Sequence, residues 1–231
     1  MLIALIAIAV FLASHIVLAE NPCRAWPIGH LGQRAHFVLY SGSSIALIWW
    51  ASDAAAKAPV VELWPSIVLL QLAPILLMPI ALFLVVCGIS QNNPTSIVAE
   101  RIAPAALLNR VPRGILTITR NPVMWGLGLW ALSHVIAGNQ LAEQLRFLAF
   151  AALAILGSYR IDRKTALKWG EPAWVTFAAR TSNLPFAAIM QRRIKLDWRK
   201  IGWLRSALTA LIYLLLLSQH EHWSGVPAYA G

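Results

Sequence analysis

Six nearly uninterrupted apolar stretches divide this chain, at roughly 2–19, 35–52, 65–88, 122–138, 143–159 and 202–218. Each approaches the ~20 residues an α-helix needs to cross a ~30 Å hydrocarbon core, although the fourth and fifth are short. With 59% of 231 residues hydrophobic, 12% charged and a mean hydropathy of +0.66, too little polar surface remains to solvate these stretches in a soluble domain. The expected architecture is all-α: a polytopic integral membrane bundle of about six transmembrane helices, forming one domain over 1–231.

Charge placement sets the orientation. The net charge is +10, yet the basic residues lie between the apolar stretches and form no nucleic-acid footprint. Sixteen of the nineteen lysines and arginines follow the first, third and fifth stretches, while Lys57 and Arg146 lie on the other side and Arg205 just inside the last stretch. The positive-inside rule then makes the three long connections cytoplasmic and both termini non-cytoplasmic. Val17-Leu-Ala19 before Glu20 resembles a signal cleavage site, but no basic segment precedes it, so the first stretch is expected to be a retained helix. Neither the spacing nor the compartment of Cys23 and Cys87 supports a disulfide or zinc site.

Gln91-Asn-Asn-Pro94 is expected to end the third helix. Val98-Ala-Glu-Arg-Ile-Ala103 and Ala105-Ala-Leu-Leu108 then read as short interfacial pieces. Between Arg160 and Lys200, Glu171-Pro172 starts a helix carrying Trp174, Phe177, Ala178 and Thr181, and Asn183-Leu-Pro185 breaks it. That connection reads as an interfacial hairpin anchored by Trp and Arg. Gln71, Pro74 and Pro79 suggest a kink in the third helix with a satisfied amide, and Tyr40-Ser-Gly-Ser-Ser44 a close packing site. Phosphate loops, dinucleotide fingerprints, nucleophile elbows and zinc-protease motifs are missing.

Two histidines, His15 and His134, each stand alone in an apolar run, where an ionisable group is costly and marks a functional site by default. Gly126, Trp130, His134 and Gly138 recur every four residues and line one helical stripe, which leaves room for a flat partner or for another backbone. A neutral imidazole suits a haem iron, but an interhelical hydrogen bond explains His134 equally well, and His15 could snorkel to the interface. On straight helices the two would lie at different depths. Arg120-Asn121-Pro122 reads as an anchor, a cap and a first-turn proline. His30 and His36 lie in and just after the first connection, and His220 and His222 in a polar tail without a third ligand.

Five blocks resemble the NnrU family of bacterial membrane proteins: Thr119-Arg-Asn-Pro-Val-Met-Trp-Gly126, Trp130-Ala-Leu-Ser-His134, Gly157-Ser-Tyr-Arg-Ile-Asp-Arg-Lys164, Trp169-Gly-Glu171 and Arg180-Thr-Ser-Asn-Leu-Pro-Phe-Ala-Ala-Ile189. His15 and Leu31-Gly-Gln-Arg34 fit the same pattern. The family is associated with denitrification and nitric oxide metabolism, and its superfamily includes zeta-carotene isomerase. This resemblance implies haem b held by His15 and His134, with Gly126 and Trp130 beside it, in a haem-dependent isomerase or a redox protein of nitric oxide metabolism. Arg120, Asp162 and Arg163 would shape a cytoplasmic mouth. The family usually has Arg-His-Pro where this chain has Arg120-Asn121-Pro122.

A more distant similarity runs to isoprenylcysteine and phospholipid methyltransferases, which implies S-adenosylmethionine bound by Arg120, Glu171 and Arg180. Those enzymes carry adjacent glutamates where this chain reads Asp162-Arg163. A third reading is a non-catalytic assembly factor. The partners expected are the lipid bilayer, a hydrophobic small molecule or another membrane protein, and no nucleic acid.

Overall fold

Helices account for nearly all the regular structure of the computed structural model, which describes residues 1–17, 25–95 and 111–225. Among these there is no strand, only an isolated bridge between Glu62 and Gln140. The helices are α1 (Leu2–Val17), α2 (Ala25–Ala56), α3 (Val68–Ser90), α4 (Pro122–Ala137), α5 (Leu141–Trp169), α6 (Glu171–Arg180) and α7 (Trp203–Ser224), with a 3-10 turn at Gly114–Thr117 and single helical turns at Ala187–Met190 and Trp198–Ile201. The chain forms two units, Met1–Ser66 with Gly138–Ala149, and Ile67–Ala137 with Phe150–Gly231. The cleavage-like site at 17–20, Cys23, Arg24 and the interfacial pieces at 98–103 and 105–108 fall wholly or partly outside the described residues.

In the first unit, α1 packs on α2. Ala4, Ala7, Ile8 and Phe11 are buried at the i, i+3, i+4, i+7 spacing of one helical face. Helix α2 extends well beyond the expected 35–52 and bends at Gly32, whose φ of 79° only glycine adopts without strain. After α2 the chain is clipped by two backbone hydrogen bonds, Leu63 N to Asn139 O and Leu141 N to Val61 O, both 2.9 Å.

The second unit is organised by the close approach of α3 and α4. A Cβ on Gly126 would lie 2.6 Å from the Ala81 carbonyl oxygen and 2.7 Å from Val85 Cγ2, and one on Gly88 would lie 2.7 Å from Val123 Cγ2. These glycines therefore let the two backbones touch. Pro74 and Pro79 both lie inside α3. Pro79 has no N–H for the Ile75 carbonyl four residues earlier, and the Tyr213 hydroxyl of α7 donates to that oxygen at 3.0 Å. Arg205 Nε donates to Ser90 Oγ at 2.8 Å, and its Nη2 to Ser90 O at 3.2 Å, capping the C-terminus of α3 with a cation. Beneath this lies a core of Leu84, Cys87, Ile115, Ile118 and Ile201, in which the Cys87 thiol is free.

Among the described residues, α3 and α5 are the helices both long and apolar enough to cross a membrane, with mean hydropathies of 2.7 and 1.4 over their best windows; α1 and α4 are apolar but 16 residues each. Polar residues dilute α2 and α7. Helix α5 runs ten residues past its expected end because nothing breaks it before Gly170 at φ 81°. Asp162 and Arg163, expected in a connection, are thus helical. Helix α7 likewise includes His220 and His222, expected in a tail.

Candidate functional site

Asp162 is the centre of a buried polar network in the second unit. Arg120 Nε lies 3.0 and 2.9 Å from its two carboxylate oxygens, and Nη2 donates to Oδ2 at 2.7 Å. The two side chains are only 13% and 12% exposed, so this forked pair is shielded from water. Asn121 Nδ2 donates to Asp162 Oδ1 at 2.7 Å and Asn183 Nδ2 to Oδ2 at 2.8 Å. Asn183 Oδ1 accepts from Trp125 Nε1 and lies beside Ser158 Oγ, both at 2.9 Å. The Arg120 guanidinium also sits 5.2 Å from the centre of the Trp174 ring, joining α6 to the cluster.

Backbone contacts lock the same region. Arg120 N donates to Ser182 O at 2.9 Å and Phe186 N to Ile118 O at 2.8 Å. Thr119 Oγ1 donates to Asn183 O at 2.5 Å, and Ala188 N to Ser182 Oγ at 3.0 Å. On the other side, Asn93 Nδ2 and the Thr95 hydroxyl both reach the Arg120 carbonyl. The network ties the approach to α4, the middle of α5 and the segment after α6 together. With every strong acceptor direction of Asp162 filled, this carboxylate is a clamp and not a free base.

The other expected residues of this face do not converge on it. Arg163, Glu171 and Arg180 are exposed. Glu171 and Arg180 occupy opposite ends of α6, ~14 Å apart along its axis at 1.5 Å per residue. Arg120, assigned to S-adenosylmethionine under one reading, is committed to Asp162. Asn183, Ser158 and Trp125 were not singled out as site residues, although all three lie in blocks that carried the family resemblance.

The histidines share one local construction. In α1, His15 Nδ1 lies 2.9 Å from Phe11 O, and Ser14 Oγ donates to the same oxygen at 2.8 Å. In α4, His134 Nδ1 lies 2.8 Å from Trp130 O, and Ser133 Oγ donates to that oxygen at 2.7 Å. Each imidazole also rests on the aromatic ring four residues earlier, at centroid distances of 4.3 Å for Phe11 and 5.8 Å for Trp130. The sequence signal is an aromatic-x-x-Ser-His pattern occurring twice, as Phe11-Leu-Ala-Ser-His15 and Trp130-Ala-Leu-Ser-His134. A carbonyl only accepts, so Nδ1 carries a proton in both rings, and Nε2 is the nitrogen that such a ring could offer to a metal. His30 makes the same i−4 contact, with Trp26 O at 2.8 Å, but is exposed and lacks the serine.

His15 belongs to the first unit and His134 to the second. Trp130 stacks on Phe150 at 5.9 Å and 19°, which fixes the ring beneath His134. Gly126, on a stripe suited to a flat partner or to another backbone, packs closely against Ala81 and Val85 of α3. No group of three or more His, Cys, Asp or Glu is arranged to hold a metal ion among the described residues.

Comparison with known proteins places these features in a family. The chain is 34% identical over 112 residues to the 15-cis-zeta-carotene isomerase, chloroplastic, of Zea mays, an alignment covering 47% of this chain and 30% of that protein. It is 38% identical over 81 residues to the protein of the same name from Arabidopsis thaliana, covering 35% and 22% respectively. The matched part thus spans less than a third of these relatives' own length. No solved structure matches. The profile of the family described as NnrU protein matches residues 1–228, and the chain belongs to that family.

Proposed function

We propose that this chain is a six-span membrane protein that binds haem b through His15 and His134 and isomerises a cis double bond in a long conjugated hydrocarbon. The observation that carries the reading is the repeated aromatic-x-x-Ser-His construction, in which two partly buried imidazoles each turn Nδ1 to the carbonyl four residues earlier. The reaction class rests on the similarity to the two plant isomerases. In this reading α1, α2, α4 and α7 cross the membrane together with α3 and α5, and the basic connections face the cytoplasm.

The donor set fits the group. His15 and His134 would be its imidazole ligands, and bound haem would supply an iron centre able to exchange electron density with a conjugated chain. The protein's own residues do the positioning. The Phe11 and Trp130 carbonyls hold the Nδ1 protons, so Nε2 is the basic nitrogen of each ring. The Trp130–Phe150 stack keeps the His134 ring from rotating away. The Asp162 clamp takes no part in this chemistry and holds the start of α4, the helix that bears His134.

Cis–trans isomerisation is redox-neutral and needs no second substrate. The test is conversion of 15-cis-zeta-carotene by the purified protein, loaded with haem in liposomes and followed by chromatography of the isomers. Wild-type protein is expected to convert it, and His15→Ala and His134→Ala to fall to the rate of protein-free liposomes. Equal conversion by wild type and both variants would overturn the proposal.

A further inference from the structure

The geometry points to a binding site for an anionic phospholipid at the head of α7. Gly202, at φ 85° and ψ 135°, separates the turn Trp198–Ile201 from α7 and leaves a cleft of about 230 Å3 between them. Trp198, Arg199, Trp203 and Ser206 line it. Its floor is firm, because Ile201 is 1% exposed in the core and Trp198 stacks on Phe83 at 5.6 Å and 21°. Neither the Arg199 guanidinium nor the Ser206 hydroxyl has a hydrogen-bond partner among the described residues.

Three features select the occupant. The first is charge: Arg199 lines the cleft and Lys200 is its exposed neighbour in the same turn, while Asp197, at the head of that turn, already accepts from the Lys200 backbone N–H. An anion is therefore favoured and a quaternary ammonium is not. The second is the pair of indoles, 58% and 79% exposed, the side chains that sit at the boundary between headgroups and hydrocarbon. The third is an apolar track leading away from the cleft. Trp203, Ala207, Ala210 and Leu214 follow at i, i+4, i+7 and i+11 along the face of α7 that borders the cleft, all exposed. A phosphodiester on Arg199 and Ser206, glycerol between the tryptophans and acyl chains along this strip satisfy all three. Free phosphate would leave the strip bare.

Native mass spectrometry of the detergent-solubilised full-length protein tests this, with phosphatidylglycerol and phosphatidylcholine of identical acyl chains offered at equal concentration. Wild type is expected to retain phosphatidylglycerol about fivefold over phosphatidylcholine, the discrimination one interfacial cation supplies. Arg199→Ala with Ser206→Ala is expected to remove that preference, while Arg192→Ala with Lys195→Ala retains most of it. Absence of preference in wild type, equal loss in both double variants, or equally tight binding of sn-glycerol 3-phosphate would each overturn the site. The readout does not involve haem or isomerisation, so it stands or falls separately from them.

Discussion

Replacing Asp162 by alanine leaves the Arg120 guanidinium buried without its counter-charge, and the structure sets the size of the effect. Three contacts from Arg120 and one from each of Asn121 and Asn183 converge on a carboxylate 12% exposed. Breaking a buried pair from one side costs about 3–5 kcal/mol, because the remaining charge is neither solvated nor paired. Removing both charges together, as Arg120→Met with Asp162→Leu, costs less than the sum of the single changes, since no orphan ion remains. The expected coupling is about 2–3 kcal/mol, against a background of ~0.5 kcal/mol for independent sites. Unfolding in mixed detergent–SDS micelles, followed by tryptophan fluorescence, measures it, with Trp125 inside the network as a reporter. A loss below ~1 kcal/mol for Asp162→Ala, or strict additivity in the cycle, would show that this pair is not the clamp described.

The helix contacts make further predictions. Gly126→Val drives new atoms into the Ala81 carbonyl, which cannot move aside, and should cost about 1–3 kcal/mol or separate α3 from α4; the same unfolding assay reads it, and an unchanged midpoint refutes the close packing. Tyr213→Phe strands the Ile75 carbonyl left open by Pro79 and should cost about 1–3 kcal/mol, whereas adding Pro79→Ala to it should recover most of that loss.

The apolar stretches located every major helix except α6, which was legible from Glu171-Pro172. They misjudged ends, because hydropathy reports which residues suit a membrane and not where a helix stops. Residues 160–169 are polar yet contain no breaker, so α5 continues through them to Gly170. The two histidines were visible as isolated costly groups, whereas Arg120 read as a surface anchor and Asp162 as part of a connection. What sequence could not supply was pairing. Arg120 and Asp162 belong to different helical segments, and amides such as Asn121 and Asn183 gain meaning only from the carboxylate they surround. The Gly126 stripe suited a ligand or a backbone equally well, and only the position of α3 distinguishes them.

The claim that His15 and His134 are haem ligands is tested most directly by the absorption spectrum of the protein purified in detergent from haem-replete cells. Wild type should show a Soret band and pyridine haemochrome of haem b, and His15→Ala and His134→Ala should each lose or shift it. A Soret band unchanged in both variants, or no band in wild type, contradicts the assignment.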